Sequence, residues 1–114
     1  DEPDLWQKNL SDEIELWIDL GQPDEKRIRR ACGRADQVII YTYNRNSAQA
    51  WWDKVKGKVQ RFNNLNIVSV DDHVMSALAA FSQRTMQLQF TISDGITLIS
   101  DGERALEVTL ATIK

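Results

Sequence analysis

Residues 14–44, IELWIDLGQPDEKRIRRACGRADQVIIYTYN, change their hydrophobic period twice, and those changes decide the fold. In the first segment Ile14, Leu16 and Ile18 point one way and Glu15, Trp17 and Asp19 the other, the period of two of a strand. Glu15 and Asp19 therefore share a face, which the alternation assigns to the exposed side. Gly21 and Pro23 end the strand. Asp24 and Glu25 suit the positive first turn of a helix, whose apolar stripe is Ile28, Ala31, Cys32 and Ala35 and whose outer face is Lys26, Arg27, Arg29, Arg30 and Arg34. The run Val38–Tyr43 is β-branched and aromatic without interruption, as in a central strand buried on both faces. Tyr41 and Tyr43 are read there as core residues or hydrogen-bonded tips rather than as platforms for stacking.

After the quoted stretch, a second helix is expected from about Ser47. Its stripe is Ala48, Trp51, Trp52, Val55 and Val59, with Lys54, Lys56, Lys58 and Arg61 largely off it. Trp51 and Trp52 could stack on bases, but their place on the stripe makes at least one of them core. NIVSV (residues 66–70) reads as a short strand, Asp71 and Asp72 as a helix start, and Val74, Met75, Leu78, Ala79 and Phe81 as that helix's apolar positions. MQLQFTIS, a turn at Ser93–Gly95, ITLIS, a turn at Asp101–Gly102 and LEVTLATI then form a β-meander. The expected class is α/β: a mixed β-sheet with flanking helices and a C-terminal β-meander, in one domain over residues 1–114.

Composition narrows the function. The 114 residues hold one cysteine, Cys32, read as a buried thiol, and one histidine, His73, read as a solvated residue near a helix start. That excludes most zinc schemes and leaves a nucleophilic triad without suitable partners. No apolar run is long enough for a membrane helix and no leader is present, so the expected location is the cytoplasm. The start on DEPD without methionine suggests a piece of something longer. Charge is segregated: −8 over residues 1–25 (nine acids, one base), +8 over 26–61 (ten bases, two acids) and −3 over 62–114 (six acids, three bases). A basic face of this kind attracts polyanions even on an acidic chain, so nucleic acid is an expected partner through Arg30, Arg34, Lys54, Lys56 and Lys58. Two solvated helix faces would give the same counts.

The remaining candidates are carboxylates. Asp4 follows Pro3 just before the first strand, and Asp19 ends the next. Two such oxygen donors on one sheet edge suit Mg²⁺, which takes one or two carboxylates and keeps waters for a phosphate. Glu15, on the Asp19 face, is a secondary metal ligand. Pro23-Asp24 repeats the dipeptide, but its place at a helix start explains it fully.

The words EPDLW, IELWIDLGQPDEKRIRRA, VIIYTYN, AWW, FNNL, RTMQLQ, TISDG and LISDG, in this order and spacing, resemble the YaeQ family along essentially the whole chain. That resemblance implies a restriction-endonuclease-like fold of the PD-(D/E)XK nuclease superfamily, with Pro3-Asp4 as the Pro-Asp step and Asp19 as the second acidic ligand. It also implies that a family N-terminal portion, about a third of its length, is missing here. Two positions after Asp19, where that superfamily carries lysine, stands Gly21. The charge could come instead from Lys26, Arg27 or Arg30 on the following helix, with Gln22 as an uncharged alternative. The implied activity is Mg²⁺-dependent phosphodiester hydrolysis. The competing reading is a non-catalytic module that binds nucleic acid or protein, having lost the lysine; a third is a purely structural role for the carboxylates, capping helices or pairing with the arginines of residues 26–34.

Overall fold

The computed structural model describes residues 2–43, 45–84, 87–93 and 96–109. The quoted stretch forms strand, helix, strand in the order its periods require. It is preceded by β1 (Leu5–Lys8) and comprises β2 (Ile14–Leu20), α1 (Glu25–Arg34) and β3 (Gln37–Thr42). After it come α2 (Arg45–Val59), β4 (Leu65–Ser69), α3 (Asp72–Arg84), β5 (Gln89–Ser93), β6 (Ile96–Ser100) and β7 (Ala105–Thr109). β1 and β2 pair antiparallel, whereas β2–β3 and β3–β4 pair parallel, giving a mixed four-stranded sheet in the order β1-β2-β3-β4. The meander is a separate antiparallel sheet, β5-β6-β7. The two meet where Leu88 N–H donates to the Trp6 carbonyl.

The mixed sheet is covered on both faces. On one side Trp17, Val38, Ile40, Leu65 and Ile67 pack against Ile28 and Ala31 of α1 and Trp51, Trp52, Val55 and Val59 of α2. On the other, Leu5, Leu16, Ile18, Ile39, Tyr41 and Val68 meet Leu78 and Phe81 of α3 and Ile99 and Val108 of the meander. This double cover corrects the exposed side assigned to β2: the face bearing Trp17 and Asp19 lies under the two helices, and both residues are buried. Both tryptophans of α2 are core, and the Trp51 indole donates to the Pro23 carbonyl.

Each of α1 and α3 starts on the acid that the sequence offers. Asp24 caps α1, accepting from the Arg27 amide, and Asp71 does the same for α3 through the Val74 amide. His73 is exposed and Cys32 half-buried. Tyr43 departs from expectation: β3 ends at Thr42, and Tyr43 is 43% exposed rather than core. The expected turn at Ser93–Gly95 and the end of LEVTLATI fall partly outside the described residues. No described helix is long and apolar enough to cross a membrane.

Candidate functional site

The candidate site stands at the end of β2, where the parallel strands β2 and β3 present their carboxyl ends and open α/β sheets usually bind ligands. Leu5 pairs with Ile18, so one step further along the same register stand Asp4 and Asp19. Both lie on the face away from Leu5 and Ile18, the face that α1 covers. Asp19 is 2% exposed, a burial that a carboxylate tolerates only when paired.

Its partner is Arg27. The guanidinium grips Asp19 with both arms, Nε to Oδ2 at 2.7 Å and an Nη to Oδ1 at 2.9 Å, and the same Nη donates to the Glu2 carbonyl at 2.8 Å. Arg27 occupies the third helical position and flanks the buried stripe, four residues before Ala31, so its long side chain can turn inward past the first turn. The Asp19 hydrogen bond raises the Arg27 pKa. Partial burial opposes that rise, and the charges of Asp19, Asp4 and Asp24 add to it. Asp4 is half-buried and oriented by the Leu20 amide, which donates to Oδ2 at 2.9 Å. The Arg27 and Arg34 guanidinium carbons lie 6.0 and 5.5 Å from the Trp17 ring centre, within cation–π range.

The other candidates are dispersed around this cluster. Glu15 is half-buried four residues back along β2, about 13 Å away at the strand rise, and is not brought to the Asp4–Asp19 end. Gln22 is exposed and donates to the Ser47 hydroxyl at 2.6 Å. Lys26 and Arg30 are exposed on α1, and Arg34 lies beyond them. Lys54, Lys56 and Lys58 are exposed along α2, with Lys56 near Asp53 at 3.5 Å and Lys58 near Glu25 at 3.8 Å. Among the described residues no three His, Cys, Asp or Glu side chains gather as a metal cage.

Beside the acidic cluster a cleft of about 240 Å³ is lined by Gly21, Gln22, Tyr43 and Ser47. Gly21 has φ +110°, and a Cβ there would meet nothing within 4 Å. Sequence reasoning places Tyr43 in the core and gives Ser47 no role beyond a helix start. The signal that could find both is the polar run of residues 44–47, which follows Tyr43 at the carboxyl end of a strand and opens the next helix.

A mixed-sheet α/β protein with a buried carboxylate held by a part-exposed guanidinium at its strand ends is the class these features define. The chain belongs to the YaeQ family, whose description, YaeQ protein, matches residues 1–110. It is 46% identical over 110 residues to the uncharacterized protein YaeQ of Escherichia coli (strain K12) and 44% identical to that of Salmonella typhi, covering 96% of this chain and 61% of each relative. Among solved structures it is similar to YaeQ from Xanthomonas axonopodis pv. citri, with TM-score 0.66 and 34% identity over all of this chain and 64% of that one. YaeQ from Pseudomonas syringae gives TM-score 0.65 and 31% identity, covering 99% and 62%. The chain thus spans about three fifths of the length of these relatives.

Proposed function

We propose that this chain carries the acidic site of a cytoplasmic, restriction-endonuclease-like protein that hydrolyses phosphodiesters with Mg²⁺, Arg27 standing in for the superfamily lysine. The observation that carries the reading is Arg27 reaching back from α1 to the buried Asp19, beside Asp4 at the carboxyl end of β2. A carboxylate oxygen has two acceptor positions, so each Asp19 oxygen keeps one beside its Arg27 bond, and the Asp4 Oδ1 accepts no bond among the described residues. Those donors fit a hard ion that uses one or two carboxylates and completes its shell with waters and a phosphate. Asp4 and Asp19 would hold it; Glu15 stands too far down the strand.

When bound, the ion would supply Lewis acidity and a water of lowered pKa. The protein's own part is positional. The Leu20 amide fixes Asp4, burial fixes Asp19, and Arg27 keeps its proton throughout. The planar Arg27 fork matches a phosphate as well as a carboxylate, so it can shift one arm to a phosphoryl oxygen as charge develops there. Lys26 and Arg30, exposed on the same helix, and Arg34, Lys54, Lys56 and Lys58 would meet flanking phosphates.

A second reading, a module that binds nucleic acid or protein without cleaving, is favoured by the completeness of the Arg27–Asp19 grip and by Gly21 in the lysine position. Incubating the natural full chain with Mn²⁺ and single- or double-stranded DNA and RNA separates the two. Cleavage abolished by Asp19→Ala supports hydrolysis. Salt-sensitive binding with no cleavage above that control supports the module.

A further inference from the structure

The cleft beside the acidic cluster differs in chemistry from the described charged groups near it. Its described lining, Gly21, Gln22, Tyr43 and Ser47, carries no charge, although basic helices and carboxylates stand close by. A phosphate would find no counter-charge among those four residues. A flat, neutral group with polar edges would find an aromatic ring, an amide and a hydroxyl. The Gln22 amide spends one N–H on Ser47, which leaves its carbonyl oxygen, its second N–H and the Ser47 proton to face a ligand. Tyr43 is 43% exposed just past the end of β3, so its ring is available to stack. Room for the ligand is built into the backbone: Gly21 takes a left-handed φ of +110° in which a side chain would be strained, and the space its Cβ would fill is open.

We infer that this cleft is a nucleobase subsite, in which Tyr43 stacks on a base whose edge is read by Gln22 and Ser47, next to the phosphate-directed Asp19–Arg27 pair. The inference rests on the nucleic-acid reading above but needs neither metal nor cleavage. Stacking on an aromatic ring tolerates every base, whereas an amide contacting the base edge discriminates among them. The two side chains therefore separate by experiment.

The test is fluorescence anisotropy on the natural full chain in EDTA, with labelled single-stranded homopolymers and an abasic strand of equal length. Tyr43→Ala should weaken base-bearing strands roughly tenfold and leave the abasic strand unchanged, while Tyr43→Phe binds like the parent. Gln22→Ala should change the ranking of the homopolymers while Tyr43→Ala lowers all of them. Equal binding by parent and Tyr43→Ala, or equal loss on the abasic strand, overturns the subsite and leaves the nucleic-acid reading standing. An unchanged ranking in Gln22→Ala overturns the edge contact. Failure of the parent to bind any strand overturns both readings together.

Discussion

Asp19 sets the energetics of the site because it is a charge that cannot stay buried alone. Removing its partner should cost about 2–3 kcal/mol in Arg27→Gln, somewhat below the ~3–5 kcal/mol of a fully buried pair, since Arg27 still touches water. Most of that loss belongs to the orphaned carboxylate. Adding Asp19→Asn should therefore recover a large part of it, a non-additivity that urea denaturation of the four-member cycle measures. Tyr41 makes a different prediction. Burial pushes its phenol up to about 12 from 10.0, and Thr97, facing it from the meander, moderates the rise without closing a well-formed hydrogen bond. A folded-state pKa above the unfolded one favours the protonated form. The stability this confers is complete below about pH 10 and is lost as pH rises towards about 12, because the unfolded chain releases its proton first. Tyr41→Phe should lose less stability than the parent across that window in a thermal melt series, and should be near neutral at pH 7.

At the scale of elements, nearly every strand and helix is legible in the sequence because each keeps its own period and most are bounded by a cap or a turn. Asp24→Ala should cost about 1 kcal/mol by chemical denaturation, the usual loss when an N-cap acceptor is removed. What the period of two does not tell is which face of β2 meets water, since a strand covered on both sides can alternate in the same way as one covered on one side. Trp17 is the available clue, being too large and apolar for an exposed face. The inward turn of Arg27 is legible only as one of three candidates, because a flank position on a helix points neither in nor out until the neighbouring charge is known. Tyr43 is misread because an uninterrupted apolar run does not mark where pairing stops. Along α2, the ion pairs of Lys56 and Lys58 are surface interactions worth little. Replacing Lys54, Lys56 and Lys58 with Gln should leave stability within about 0.5 kcal/mol. On duplex DNA it should flatten the slope of log K against log salt by about 0.9 for each phosphate that is no longer neutralised. A parental slope in the triple variant assigns these lysines to solvent alone.

Over the whole molecule, strand order in the mixed sheet equals chain order: β2 lies beside β1, β3 beside β2 and β4 beside β3. A growing polypeptide can thus lay each strand against one already made, with only a helix between successive parallel partners. Pairing between consecutive strands suits sequential synthesis, although each parallel pair must still close a crossover of more than twenty residues, from Leu16 to Gln37 and from Val38 to Leu65. The exception is the outer edge of β1, whose Trp6 carbonyl accepts from Leu88, more than eighty residues later. Among the described residues no other segment meets that side of β1, and an uncovered row of amides and carbonyls is the kind of edge on which unfinished chains join one another. The half-exposed Lys8 at its end, charged and paired with Asp12, stands where it can discourage that contact while the rest of the chain arrives.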